Sequence, residues 1–430
     1  MNLKKISILI ISVMVIAAVA WKVYDHQTNK KNYLTEINEK EILVLDNIYT
    51  SSDKNITTFK ELLVENPDNG VLLTKLGAAY IQKARESGDP EFYVNAEDVL
   101  NRAIKIDPEN FLAIAELGSV NLSRHNFKEA LELSQKALEI NPYSSYSYGV
   151  LADAQIELGM YDEAIQTIQK MVDTKPDLGS YSRVSYIREL KGDDQGSIDA
   201  MKSAVKAGSP IAENTAWCRV QLGNLFYNTG DPETAEKIFG FVMKDFPEYV
   251  HGYGSMGKIK MHNKEYTDAI ELYKKALEKN SLPEYLISLG DAYALSGNKE
   301  MAEEQYQKVK FISSMYKQKG VDTDLELSLF NADHNRQLEE SLDYAQEAFD
   351  EGSKSIKVFH SIAWLNFKLG NYEEAQKNIE QALRLGTKDP LMYYHAGRIF
   401  EKTGQQEKSK EYLEFALKIN PYYESLYISE

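Results

Sequence analysis

The sequence predicts an all-α fold, a right-handed solenoid of about ten stacked antiparallel helix pairs. Three observations predict it. One helix is written repeatedly: NFKEALELSQKALEINP from Asn126 to Pro142, EYTDAIELYKKALEKN from Glu265, and QQEKSKEYLEFALKINP ending at Pro421. The recurrence has a fixed period, because Pro108, Pro142 and Pro176 stand 34 residues apart, as do Ala96, Ala130 and Ala164. Within a unit the apolar residues follow helical i, i+4, i+7 spacing, as at Ala235, Phe239 and Val242, which lines one helical face. A single helix pair cannot bury that face alone, whereas a stack buries a continuous seam and leaves an extended, open, curved surface.

The first element is of another kind. MNLKKISILIISVMVIAAVAWK carries Lys4 and Lys5 ahead of an uncharged run from Ile6 to Trp21. Residues 1–24 read as a signal or membrane anchor. Ala18-Val19-Ala20 would suit cleavage, while Trp21, Lys22 and Tyr24 would anchor an uncut span at the interface. The two lysines favour an amino terminus inside the cell, which places the array outside the cytoplasm (periplasmic) or, after cleavage, secreted. Residues 25–40 are polar and read as a tether.

A first array is expected over 41–310. The first helix of a unit carries Leu-Gly and then an aromatic, as at Leu76-Gly77 with Tyr80, Leu222-Gly223 with Phe226 and Leu289-Gly290 with Tyr293. A turn follows, often with glycine: Gly159, Gly230, Gly297, Gly370 and Gly404. Glycine inside a helix costs about 1 kcal/mol relative to alanine, so Gly223 is expected where paired backbones approach closely. Clear units begin near Gly70, Phe111, Ser145, Ala216, Val250, Pro283, Ile356 and Pro390, a weaker one near Leu178, and degenerate pairs lie at Glu36 to Pro67 and Asp322 to Phe349. RESGDPEFYVN, inserted in the first clear unit, is expected as a protruding loop. Past Val309 the second helix runs on through FISSMYKQKG, and the phase changes at GVDTDLELSLFNADH, so 311–430 reads as a second array.

On these positions the chain resembles the tetratricopeptide repeat family, from about Ile42 to Pro421 and in its membrane-anchored or exported bacterial form. The resemblance implies that the first helices line a concave groove that takes a peptide or protein segment. Carried onto this sequence, the groove residues are Trp217, Val220, Asn224 and Tyr227, then His251, Lys258 and Met261, then His360, Trp364 and Phe367, then Tyr394 and Arg398. The Trp217 and Trp364 rings fit the inter-unit core equally well. The family's clamp for acidic carboxyl-terminal tails is not in phase here: Asn224 and Lys258 are present without the remaining partners.

Composition narrows the function. The formal net charge is -16, from 65 acidic and 49 basic residues, and this opposes a nucleic-acid surface, which wants a basic stripe. The one cysteine, Cys218, excludes a disulfide framework within the chain. There is no glycine-rich phosphate loop, HExxH or GxSxG. The expectation is a non-enzymatic scaffold without a cofactor that binds a protein or peptide. The alternative is a metal- or small-ligand module in the carboxyl-terminal third, with Asp333, His334 and His395 as ligands beside Asp322 and Glu326. Against it, Asp322 or Asp324 would cap a helix and His334 would favour a helix end.

Overall fold

The computed structural model describes residues 51–278 and 281–427. The expected anchor and tether lie outside the described residues. Among the described residues there is no strand, and no helix is long and apolar enough to cross a membrane.

Helix α1 spans Ser52–Glu65. Pairs then follow: α2 (Gly70–Ser87) with α3 (Glu91–Ile106), α4 (Phe111–Ser123) with α5 (Phe127–Ile140), and α6 (Ser145–Glu157) with α7 (Tyr161–Thr174). Next are α8 (Leu178–Leu190) with α9 (Asp194–Ala207), α10 (Glu213–Asn228) with α11 (Pro232–Asp245), and α12 (Val250–His262) with α13 (Tyr266–Leu277). Helix α14 (Pro283–Leu295) pairs with α15 (Lys299–Gln318), and α16 (Asp324–Asp333) with α17 (Leu338–Asp350). The last are α18 (Ile356–Lys368) with α19 (Tyr372–Ala382), α20 (Pro390–Lys402) with α21 (Gln406–Ile419), and the short α22 (Tyr423–Tyr427).

Local chemistry explains the pairs. First helices start on side-chain caps: Asn69, Asn110, Ser144, Asp177, Ser355 and Asp389 each accept a backbone N–H of the first turn, satisfying donors that the helix leaves free. The turn between partners needs a left-handed residue. Gly159, Gly230, Gly297, Gly370 and Gly404 supply it, with φ between 78° and 89°, and His125, Lys264 and Asn335 take the same place without glycine. At Gly223 an added Cβ would stand 2.3 Å from Phe239 Cε1, and at Gly290 2.3 Å from Tyr306 Cε1. Those glycines therefore serve close helix approach.

Two expectations are corrected. RESGDPEFYVN is not a protruding loop: it lengthens α2 to 18 residues and α3 to 16, with a left-handed Gly88 ending α2. Its Phe92 stacks on Tyr80, ring centroids 6.1 Å apart, so the segment extends both helices and rests an aromatic ring on α2 instead of projecting. The surface is also not simply open, because the solenoid meets itself. Lys354 N–H donates to the Leu158 carbonyl at 3.0 Å, and Ile356 N–H to the Tyr161 hydroxyl at 2.8 Å. Lys388 pairs with Asp194 at 2.8 Å, Lys319 with Glu91 at 2.5 Å, and the Tyr227 hydroxyl donates to Asn420. Four of these five pairs stand 193 to 196 residues apart, about six units. A turn between helices in one coil thus touches the start of a first helix in the next. Apolar packing follows the same seam, since one core cluster holds Ile156, Tyr161 and Leu190 together with Ile356, Trp364 and Met392.

Candidate functional site

The first helices share a register set by their residue of closest approach to the partner helix. Gly77, Gly118, Ala152 and Gly223 occupy it, and six residues earlier stand Val71, Leu112, Tyr146 and Trp217. These four are 63%, 38%, 40% and 41% exposed, although the stack buries most other large apolar residues of the first helices. Trp217 is among the groove residues expected from the sequence; Val71, Leu112 and Tyr146 are not. Counting back from the small residue would have found them.

The other expected groove residues divide by burial. Asn224, His251, Lys258 and Arg398 are half-buried. His251 Nδ1 lies 2.5 Å from the Tyr285 hydroxyl, and burial lowers the pKa of its ring. Lys258 Nζ sits 4.4 Å over the Tyr227 ring, and burial lowers its ammonium to about 8 against the opposing pull of Asp389 and Glu189. Arg398 pairs with Glu401 at 3.2 Å. Tyr227, His360, Trp364 and Tyr394 are buried. Tyr227 lies under Asn420 and Ile419 of the next coil. Tyr394 packs on Tyr423 at 5.5 Å.

His360 and Trp364 belong to a sealed polar cluster. Trp364 Nε1–H donates to Asp333 Oδ1 at 2.7 Å and its ring stacks on His395 at 3.8 Å. His395 Nδ1 lies 2.9 Å from His360 Nε2, and His395 Nε2 lies 3.3 Å from Asp333. Burial raises the Asp333 carboxyl to about 6 and pushes both imidazoles well below their usual value. The metal expectation fails on this geometry. Asp333 and His395 meet, but His334, one residue on at the helix end, turns to Asp291 at 2.9 Å. Glu326 pairs with His125, and Asp322 caps Asp324 N–H. Among the described residues no group of three or more His, Cys, Asp or Glu is placed to hold an ion.

A cavity of about 360 Å³ is lined mostly from first helices, by Arg85, His125, Tyr146, Arg183, Glu326 and Lys357 among others. It is built from both coils: Arg85 ends α2 and Lys357 starts α18. Most of its charges are paired within the wall. Arg183 grips Asp153 at 2.5 and 2.8 Å, Lys357 meets Glu157 at 2.8 Å, and His125 meets Glu326 at 3.2 Å. Tyr146 donates to Glu116 at 2.6 Å, whose carboxyl is raised by burial.

Family models described as tetratricopeptide repeat match residues 121–185, 220–282, 255–314, 356–385 and 391–423. TPR repeat-containing protein MJ1428 of Methanocaldococcus jannaschii is 23% identical over 373 residues, 74% of this chain and 65% of that one. The Hsp70-Hsp90 organizing protein of Triticum aestivum is 21% identical over 306 residues, 71% of this chain and 40% of that one. The chain thus spans less than two thirds of each. A crystal structure of MamA is 21% identical with a TM-score of 0.31, covering 38% of this chain and 94% of that one. The repeated Leu-Gly register, the stacked pairs and the family-model matches agree: the chain belongs to the tetratricopeptide repeat family, whose arrays mediate contacts between proteins.

Proposed function

We propose that the protein is a non-enzymatic scaffold that holds a segment of a partner protein along its inner wall. One observation carries the reading: Val71, Leu112, Tyr146 and Trp217 recur at one register position, and all four remain exposed. Large apolar groups that a stack leaves uncovered at matched positions favour a partner that covers them. Half-buried Asn224, His251, Lys258 and Arg398 add hydrogen-bonding groups suited to a peptide backbone. The paired charges of the wall favour a partner held by aromatic and apolar contacts over one held by net charge. The scaffold would work at or beyond the cytoplasmic membrane, tethered through residues 1–24, or secreted where that segment is cut. The lysines at 4 and 5 and the apolar run behind them support this placement.

The test places a photo-crosslinking residue at Trp217 and, as a control, at the exposed Phe241 of the second helix α11. One partner joined from position 217 and not from 241, with pull-down of that partner by the array falling at least about tenfold in Trp217→Ala with Leu112→Ala, is the expected result. Equal capture from both positions, or by the double variant, refutes the inner-wall reading. Protease digestion of spheroplasts and of lysed cells tests placement: an array cut equally fast in both lies beyond the cytoplasmic membrane, and one protected until lysis does not.

A further inference from the structure

The inner cavity names no ligand class of its own, because its carboxylates and most of its cations already face one another, and the Asp333 cluster is sealed in the core. Helix α16 carries chemistry that a scaffold alone leaves unused. It opens the second array at the phase change, in GVDTDLELSLFNADH, and is tied at both ends by a histidine and a carboxylate.

At its start, Glu326 Oε2 lies 3.2 Å from His125 Nδ1, and the same ring also hydrogen-bonds the Asp322 backbone carbonyl. His125 belongs to the first coil, in the left-handed turn after α4, with φ of 65°. At its end, His334 Nε2 lies 2.9 Å from Asp291 Oδ1 of α14, and Nδ1 lies 2.8 Å from the Phe330 carbonyl. A carboxylate and a carbonyl only accept. A neutral imidazole donates from one nitrogen only, so the His334 contacts are both satisfied only by the imidazolium.

We infer that α16 is a proton-operated latch: protonated His125 and His334 fasten it to the first coil and to α14, and loss of those protons frees it. The surroundings favour the charged rings. His125 is faced by Glu326, Asp322 and Glu157, and by Lys357, Arg183 and Arg124, which are paired to Glu157, Asp153 and Glu97. Arg85 lines the same cavity. His334 is faced by Asp291, by its neighbour Asp333 and by Tyr306, whose hydroxyl also donates to Asp291 at 2.8 Å. Arg336 beside it pairs with Glu303. Both histidines are raised above their ordinary value, where burial alone would lower them, because a carboxylate hydrogen bond and its charge outweigh that burial. A raised histidine stabilises the folded state fully below its unfolded value, near 6.5, and the contribution fades as pH rises through the folded value.

The test is hydrogen exchange of α16 backbone amides in the whole chain at about pH 6 and about pH 8.5, corrected for intrinsic exchange. The expected result is protection about tenfold or more lower at the higher pH, where the rings have lost the protons that hold the helix. Glu189, raised to about 7 by burial, Asp333 on α16 itself, raised to about 6, and Lys258, lowered to about 8, also titrate in this window or at its edge, so variants assign the effect. The half-exposed Glu326→Gln should reduce protection of the Leu327 to Phe330 amides at pH 6 toward their pH 8.5 level and change little at pH 8.5. His125→Gln with His334→Gln should reduce the pH response to the small remainder that Asp333, raised to about 6, leaves at the lower edge of the window. Flat protection in the unaltered protein overturns the latch. So does a full pH response at the Leu327 to Phe330 amides in Glu326→Gln, or anywhere in α16 in the double variant. If the double variant does not fold, the unaltered protein and Glu326→Gln decide.

Discussion

The closest test of the packing is a mutant cycle on Gly223 and Phe239. Phe239 is 0% exposed, and Phe239→Ala should cost about 3–5 kcal/mol. Gly223→Ala has two opposed effects. Alanine is the better helix former by about 1 kcal/mol, but its Cβ would sit 2.3 Å from Phe239 Cε1 and 2.8 Å from Cδ1 and Cζ. Displacing a fully buried ring typically costs about 1–3 kcal/mol, so the single change should be neutral to destabilising by about 2 kcal/mol. Once the ring is gone the clash is gone, and the same methyl enters the vacated space. Gly223→Ala should then stabilise, by about 1 kcal/mol. The coupling is the difference between the two backgrounds, about 1–3 kcal/mol. Repeat arrays need not unfold in one step, so the assay is hydrogen exchange of α10 and α11 amides in mild denaturant. A Gly223→Ala effect of the same sign and size in both backgrounds would refute the claim that this glycine exists to admit the phenylalanine.

Two further outcomes follow from buried groups and from the seam. The Asp333 carboxyl is raised by burial from 3.8 to about 6, so the unfolded chain ionises it at lower pH than the folded protein does. Its contribution to stability falls between about pH 4 and pH 6 and stays low above, by up to about 3 kcal/mol; Asp333→Asn, which keeps an acceptor for Trp364, should match the unaltered protein in urea unfolding near pH 4 and exceed it by about 1–3 kcal/mol near pH 7.5, and an equal difference at both pH values would rule this out. At the seam, Gly192 has φ of 71° and an added Cβ would stand 2.2 Å from the Gly386 carbonyl oxygen, whereas Gly404 has φ of 79° and nothing within 4 Å; both alanine variants carry backbone strain, but only Gly192→Ala should enlarge the radius of gyration by small-angle scattering, and equal radii would count against seam contact at this turn.

Legibility in the sequence follows the range of the interactions. The helix pairs, their Leu-Gly register and the overrun of α15 all rest on contacts within about one period, so the spacing of Ala235, Phe239 and Gly223 sufficed to read them. The same was true of Asp322 as a cap and His334 at a helix end. What could not be read was anything set by the pitch of the coil. Nothing within 34 residues of Tyr227 signals that Asn420, 193 residues on, will cover it. Trp364 is core, one of the two places the sequence left open for it, for a nearer reason. Its register position faces the adjacent first helix, and there His395 offers a flat ring at 3.8 Å. The position equivalent to Gly397 in that helix is small, but the residue two before it is not. One period fixes which face a residue occupies; the size of its neighbour's side chain decides whether that face is wall or core.

The seam also changes what the inner wall can be. In an open solenoid each unit leans on its neighbours and stability adds up along the chain. Here Leu158, Tyr161 and Asp194 contact Lys354, Ile356 and Lys388, so the ends of a coil are coupled through space as well as through the units between them. Closing such long loops carries an entropy that rises only slowly with their length, so a set of ion pairs, hydrogen bonds and shared apolar packing can hold them. The cavity on the wall is lined by residues of both coils, with Lys357 and Glu326 supplied by the second. A ligand that touches either residue while also touching Tyr146 binds the closed coil better than the parted one. By linkage it must then tighten the seam by the same free energy that the seam contributes to its binding.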